Sequence, residues 1–422
     1  MAIIGIDDTD SRQYGMCTTF VGHQICKRIQ ERGGEVHRVL LIRLNPAAKH
    51  KTRGNAAVAV HTDMDVNEAH EIACNEVFPK AEVQDDETNP AVVSAPESSV
   101  SDSVAQFTRS AITELLSIAE AESIIESNEF LTSWEGNGRG RIGSLAAIGA
   151  WNALDSWTYE HIFYRREENW GTARDVDKQS VFEAADAGYP GAWDTVDRVE
   201  NEVVCVPHTP CPILYGIRGD DPETVRKVGT EINSEAIVNS QLFITNQGTD
   251  VHLQEAVIAN CTNNSAYKIH CKLNTKPETR EGGHVYFTVK DETGKMNVIA
   301  FEPTKHFREK VRKLVPGDSL IICGEVSDGT LKLEKFAVAS LQTEEVTNPT
   351  CPDCDRKMSS AGKNQGYRCR DCNTHQQEKA TVQIKRELEK GWYEVPPCAR
   401  RHISMPLIRT ERIDRLTTHP FK

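Results

Sequence analysis

No apolar run in the 422 residues approaches the ~18 that a membrane-spanning helix needs. The first residues carry neither the basic stretch nor the apolar core of a secretory signal, so a cytoplasmic protein without a membrane partner is expected. Thirteen cysteines are an odd number, and without such a signal they argue against a disulfide framework. Nine of them (Cys17, Cys26, Cys74, Cys205, Cys211, Cys261, Cys271, Cys323 and Cys398) are scattered and read as small buried hydrophobes. Internal repeats and low-complexity tracts are missing, and so are the dinucleotide-binding fingerprint and the P-loop.

The net charge of −13 would discourage a nucleic-acid reading if it were uniform, and it is not. Residues 346–422 carry 15 basic against 9 acidic side chains, and residues 266–345 carry 13 against 12. The first 265 residues hold 21 against 41, a net of −20. A polyanion would be repelled by the front surface and tolerated or attracted by the tail.

Length sets a soft prior of about three domains, and the pattern of elements divides the chain further. AIIGID reads as a strand and TTFVGHQICKRIQERG as an amphipathic helix closed by Gly33 and Gly34. Strands are expected at HRVLLIRLNP, NAAVAVHTD, NPAVVSA and WTYEHIFYRR, with helices at VNEAHEIACNEVF, from about Ser101 to Ser127, and from Ser144 onward. Together these make an α/β domain over 1–197. Residues 198–265 read strand, strand, helix, strand, a small α+β unit. Residues 266–345 alternate with period 2 between the turn signals DETGK and SDGT, which suggests a five-stranded antiparallel barrel, most simply an OB-fold. Residues 346–422 complete the chain as a metal-binding ribbon with a basic tail.

The strongest single motif is CPDC-x14-CRDC: Cys351, Cys354, Cys369 and Cys372. Two such knuckles surround one tetrahedral zinc in a closed, structural site. A unit of ~40 residues has little core of its own and depends on that metal to fold. Tyr367, Arg368 and Arg370 flank the second knuckle and offer stacking and charge to RNA, or simply form a solvated face. On the barrel strand HVYFTV, Tyr286 and Phe287 point to opposite faces, so at most one fills the core while the other is free to stack on a base.

Near the N-terminus, Asp7, Asp8 and Asp10 crowd the end of a strand, followed by Gly15 and the hydroxyls of Thr18 and Thr19. Carboxylates this close do not all ionise cheaply unless a cation sits among them. Magnesium bridging carboxylates to the phosphates of ATP is the recurring arrangement that fits. Asp10 or Ser11 could instead cap the following helix. The loop KHKTRGN sets Lys49, Lys51 and Arg53 between two strands of an acidic domain, as for an anion, with Asn55 at its end. GNGRGRIG offers Gly136, Gly138, Arg139, Gly140 and Arg141 before a helix, where backbone N–H groups can meet phosphate.

GIDDTDS…GMCTT, RLNP…KTRGN, GNGRGRIG, CPILYGIRG and the CxxC pair, in this order, resemble the archaeal tRNA-Ile 2-agmatinylcytidine synthetases over nearly the whole chain. The resemblance implies a multidomain α+β protein with an atypical kinase-like domain, a ferredoxin-like domain, an OB-fold and a zinc ribbon. It implies ATP-dependent attachment of agmatine to carbon 2 of the wobble cytidine in the CAU anticodon of tRNA-Ile, through a phosphorylated cytidine. The expected cofactors are ATP, Mg2+ and structural Zn2+, with no obligate protein partner. Asp7, Asp8 and Asp10 match the family's metal-binding acidic cluster. Thr18 matches the threonine that becomes phosphorylated. Gly15, Lys51, Arg53, Asn55, Gly136, Gly138, Arg139 and Gly140 fall where the nucleotide is expected. CPILYGIRG places Tyr215, Gly216, Arg218 and Asp220 at the agmatine pocket; the aspartate could equally begin a helix. A non-catalytic nucleic-acid-binding protein and a small-molecule phosphotransferase are the rival readings. The first leaves the aspartates and threonines without a role.

Overall fold

The computed structural model describes residues 1–49, 51 and 54–413. A nine-stranded sheet forms the body of the molecule. Its strands are β1 (Ala2–Asp7), β2 (Val36–Arg43), β3 (Ala56–Thr62), β4 (Ala91–Pro96), β5 (Leu131–Trp134), β6 (Thr158–Arg165), β7 (Ala192–Trp193), β10 (Ile213–Gly219) and β11 (Ile237–Thr245). A two-residue hairpin, β8 (Val196–Asp197) with β9 (Glu202–Val203), stands apart from it. The strand order is β5-β4-β1-β3-β2-β11-β6-β10-β7, and β2–β11 is its parallel pair.

The alternation in β1 sets up the site. Ile4 and Ile6 face α1 (Thr18–Glu31) and α2 (Val66–Val77), packing on Val21, Ile25, Ile29 and Ile72. Ile3, Gly5 and Asp7 take the opposite face, against α5 (Gly140–Ala153), with α3 (Asp102–Thr113) and α4 (Ile118–Ser127) outside it. A Cβ on Gly5 would fall 2.0 Å from the Ser144 carbonyl oxygen, so glycine is what lets the helix approach the strand. Helix α5 therefore starts at Gly140, four residues earlier than expected. Ser144 lies inside it and donates to the Ala91 carbonyl at 3.0 Å.

The other half of the sheet is covered by α6 (Lys178–Gly188) and α7 (Pro222–Glu231), through Phe163, Leu214, Tyr215, Ile217, Val225 and Val228. The division drawn after Asp197 passes through this sheet. Strand β6 precedes that point but pairs on one side with β10 and on the other with β11, because its apolar residues on one face are needed to seat α7.

After β12 (Leu253–Glu255), the strands β13 (Ser265–Leu273), β14 (Glu278–Thr279), β15 (Val285–Lys290), β16 (Lys295–Ala300), β17 (Ser319–Ser327) and β18 (Thr330–Ser340) build the OB-fold. The closed barrel runs β13-β17-β18-β16-β15 and back to β13, with α8 (Phe307–Arg312) between β16 and β17. One pairing, β16–β18, is parallel, so the barrel is not wholly antiparallel. The ribbon hangs from a two-stranded stalk in which Glu344–Thr347 pairs with Ala380–Gln383.

As far as residue 413, the basic tail is tied back to the body of the molecule. Gly391–Glu394 returns as a strand beside β18, and the chain then crosses to the nine-stranded sheet as a strap ending in α9 (Leu407–Ile413). Arg386 makes a bidentate pair with Asp318 at 2.6 and 2.8 Å. Arg400 pairs with Asp194 and, at 2.7 Å, with Glu394. Arg401 reaches Glu325 at 2.6 Å, and Arg409 reaches Asp220 at 2.5 Å. These four cations are engaged internally, so the tail offers a polyanion less charge than its composition suggests. Removing one partner of such a pair strands the other. Arg400→Ala is expected to cost about 3–5 kcal/mol, read as a fall in the thermal midpoint of the full-length protein.

Candidate active site and metal centre

A cavity of about 690 Å³ opens where the strap and both halves of the sheet meet. Asp7, Asp8 and Asp10 line it together with Thr18, Thr19, Lys49, Lys51, Asn55 and Arg139. Asp7 arrives from the α5 face of β1 and needs a glycine opposite: a Cβ on Gly143 would fall 2.0 Å from its Oδ2. Asp8 turns the chain with φ of 60° and accepts from the Arg139 guanidinium at 3.1 Å. Burial, then the charge of Asp8, raises the Asp7 carboxyl well above the ordinary range. Burial also raises Asp8, to about 6, with Arg139 opposing it. Among the described residues, the four ribbon cysteines are the one group of three or more acidic, histidine or cysteine side chains whose ligand atoms all lie within 4.8 Å of one another. The aspartates are spread more widely, along the floor of the pocket.

Neither Asp10 nor Ser11 is a helix cap. Helix α1 begins at Thr18, and Ser11 instead accepts from the Gln13 and Tyr14 amides in a turn. The Thr18 hydroxyl lies 3.0 Å from that of Thr9, and the Thr19 hydroxyl 3.0 Å from the Cys17 sulfur. Both threonines line the cavity. Lys51 is half-buried and contacts the Pro46 carbonyl; burial, then Arg401, holds its pKa below the ordinary value. Asn55, with φ of 43°, donates to the Asn45 carbonyl at 2.7 Å and closes the base of the basic loop. Arg53 lies outside the described residues.

The glycines serve packing as much as approach. Gly136 and Gly140 fold around Asn89, and a Cβ on either would come within 2.5 Å of an Asn89 oxygen. Gly138 lies under the Arg141 guanidinium and Gly15 under the Pro210 carbonyl. Arg141 is turned away from the cavity, stacked 4.1 Å over Trp134 and paired with Glu122 at 3.1 Å.

On the far wall, Gly216 and Arg218 line the cavity, but their neighbours do not. Tyr215 is fully buried on the α7 side of β10, and its hydroxyl donates to the Gly229 carbonyl at 2.9 Å. Strand alternation that brings Gly216 inward sends Tyr215 outward. Asp220 pairs with Arg409, while Asp221 caps α7 by accepting from the Thr224 amide. Sequence reasoning missed Arg43, Gly143 and Glu160, and the strap residues Cys398, Arg400 and His402, all of which line the cavity. Glu160 was legible as the one carboxylate of its strand, TYEHIFYR; the strap residues follow no local pattern.

On the barrel, Phe287 is 3% exposed and belongs to the core. Tyr286 faces out, with Arg280 stacked 4.5 Å from its ring centre. In the ribbon, the sulfurs of Cys354 and Cys369 are 3.5 Å apart, and backbone amides of Cys372 and Asp371 lower the Cys369 thiol to about 7, towards the thiolate that zinc needs. Tyr367 packs against this cluster, and Arg368 reaches Asn373 at 3.1 Å.

Four family models match in chain order: the TiaS TCKD domain over residues 3–133, the TiaS FLD domain over 138–252, an OB-fold nucleic acid binding domain over 267–337 and the TiaS C-terminal zinc ribbon domain over 348–388. The tRNA-Ile 2-agmatinylcytidine synthetase TiaS of Haloquadratum walsbyi is 50% identical, with 97% of this chain and 98% of that protein covered. This chain belongs to the tRNA-Ile 2-agmatinylcytidine synthetase family. A solved family structure, the complex of TiaS with its isoleucine tRNA and ATP, superposes with a TM-score of 0.87 at 39% identity, with 97% of each chain covered. The complex of TiaS with the same tRNA, AMPCPP and agmatine gives 0.85 at 37% identity, again over 97% of each. No helix among the described residues is long and apolar enough to cross a membrane.

Proposed function

We propose that this protein conjugates agmatine to carbon 2 of the wobble cytidine of CAU-bearing tRNA-Ile at the expense of ATP, in the cytoplasm. The observation that carries this reading is the meeting, in one cavity of a family member, of a carboxylate floor, a helix N-terminus bearing two hydroxyls, and basic side chains. Oxygen 2 of cytosine is a poor leaving group. Converting it to a phosphate ester with ATP lets the primary amine of agmatine displace phosphate, forming the C–N bond as the C–O bond breaks.

The residues present suit Mg2+: Asp7, Asp8 and Asp10 are hard oxygen donors, and the raised carboxyls of Asp7 and Asp8 are those a divalent cation would relieve. Held by these carboxylates, the ion would neutralise charge developing on the phosphate. The first amides of α1 and the Arg139 and Lys51 cations favour the polyphosphate from the other sides. Thr18 opens α1 on the cavity wall, where its hydroxyl can receive or position a phosphoryl group. Tyr286, Tyr367 and Arg368 are the barrel and ribbon groups we propose to meet RNA. A purely RNA-binding protein would have no use for buried carboxylates of this kind.

The test is incubation of the zinc-loaded protein with ATP, magnesium, labelled agmatine and unmodified tRNA-Ile transcript carrying CAU. Label becoming covalently bound to the tRNA is expected. ATP turnover independent of tRNA, or tRNA binding without turnover, would overturn the reading.

A further inference from the structure

Two guanidinium groups in the cavity lack a counter-ion. Arg43, at the end of β2, and Arg218, on β10, both line it, and among the described residues neither forms an ion pair. Arg218 is 5% exposed and lies 5.7 Å from the Trp193 ring centre. The Arg43 backbone is clamped by the Asn246 side chain, which accepts from its N–H at 2.8 Å and donates to its carbonyl at 2.9 Å. Among the described residues the Arg43 guanidinium donates to one neutral group, the Gly54 carbonyl at 3.3 Å, and its Nε is buried without a partner. Glu160 shares the cavity, but its carboxylate accepts from the Gln247 amide and pairs with neither arginine.

A buried cation without an anion is costly, so two that sense each other mark a place where an anion arrives. The surroundings register the same excess of positive charge. Burial, then Arg43 and Arg218, hold the His402 imidazole well below its ordinary pKa, so it meets the cavity uncharged. Burial lowers the pKa of Arg43 itself, with Glu160 opposing and Arg218 adding to the effect. Arg43 also feels Asp10, which places it between the carboxylate floor and the opposite wall. Each guanidinium presents a planar fork of N–H donors that matches two oxygens of a phosphate.

Arg139, Lys51 and the start of α1 are proposed for the polyphosphate of ATP. The conjugation needs a second phosphate seat, because oxygen 2 of the cytidine departs as phosphate. Resting on the reaction proposed above, we infer that Arg43 and Arg218 seat the phosphate dianion carried on that oxygen. In the displacement the amine nitrogen bonds to carbon 2, and the C–O bond breaks with its electron pair going to the phosphate. The proton lost by the amine passes to water. The two arginines neutralise the charge that gathers on the departing oxygens.

The experiment compares the full-length zinc-loaded protein with Arg43→Met and Arg218→Met in single turnovers with ATP, magnesium, agmatine and CAU-bearing tRNA-Ile transcript. Both variants are expected to phosphorylate the cytidine within a few fold of the wild-type rate, followed by mass spectrometry of the digested tRNA. Agmatine transfer should fall about 10²-fold, as for loss of one preorganised donor, so that phosphorylated tRNA accumulates. Calorimetric titration with inorganic phosphate, the ATP site being filled with magnesium and AMPCPP, is the second readout. The phosphate Kd should weaken about 10-fold or more in either variant, and Arg218→Met serves if Arg43→Met does not fold. Agmatine transfer within threefold of wild type in both variants overturns the assignment, as does an unchanged phosphate Kd. So does a loss of phosphorylation equal to the loss of transfer, which would give the arginines to ATP. An effect confined to tRNA affinity would give them to a backbone phosphate and overturns it too. Wild type that binds phosphate through these arginines but transfers no agmatine would bring down the reaction itself, a different failure.

Discussion

Asp8→Ala is expected to abolish ATP cleavage and agmatine transfer, by about 10³-fold or more given the several kcal/mol that a carboxylate-held cation supplies to phosphoryl transfer. Affinity for tRNA should stay within a few fold if, as proposed, the groups that meet RNA lie on the barrel and ribbon. The same carboxyls make an opposite prediction for stability. Asp7 and Asp8 both titrate higher in the fold than in the unfolded chain. Their favourable contribution is complete below about pH 4 and is lost as pH rises, for Asp8 through about 6. Above that pH the charged form of Asp8 costs roughly 3 kcal/mol in the metal-free protein. Asp7→Asn should therefore raise the thermal midpoint of the metal-free protein at pH 7.5 while destroying activity. Magnesium should raise the midpoint of wild type but not of the variant. At limiting magnesium, ATP cleavage should fall with falling pH as protonation of Asp8 competes with the ion. Retained cleavage in Asp8→Ala would move the phosphate site elsewhere.

The second large effect concerns the ribbon. Thr347 and Ala380 are paired across the stalk, so residues 348–379 can be replaced by a two-residue turn. This excision should weaken tRNA binding by about 10–100-fold, with a shallower salt dependence, since stacking and phosphate contacts of the ribbon are lost. Agmatine transfer should disappear, while the thermal midpoint of the remainder holds within a few degrees. Stripping the zinc from the intact protein should act likewise, because the cluster is most of the ribbon's core. Truncation at residue 346 is a different experiment. It removes Arg386, Arg400 and Arg409, strands their partners Asp318, Asp194 and Asp220, and is expected to unfold much of the chain. Unchanged tRNA affinity after the clean excision would remove the ribbon from recognition.

Much of the architecture could be read from local signals, and the exceptions share one cause. The aspartates, the cysteine knuckles and the barrel's alternation are patterns within a few residues; the knuckles do meet as one cluster and the alternation does build a barrel. Phe287 and Tyr286 were separable only as a pair, since alternation says that they oppose and not which faces inward. Tyr215 and Gly216 pose the same problem, resolved by where α7 packs. Strand β6 looked like the end of the first domain, yet its neighbours lie 50–80 residues further on. Glu160 and Gly143 reach the cavity through helix and strand packing, and His402 through a crossing from the far end of the chain. Long-range placement is not written in periodicity.

That crossing sets an order of assembly. The strap that closes the cavity with Cys398, Arg400 and His402 follows the ribbon in sequence, as does Gly391–Glu394, which completes the barrel edge. During synthesis from the N-terminus, domains fold as they emerge, and contacts such as Asp194–Arg400 wait for some two hundred intervening residues. A nascent chain can display the aspartate floor while its last wall is still in the ribosome. The cavity is thus closed only once the ribbon has been made, and a polypeptide interrupted before that point lacks both.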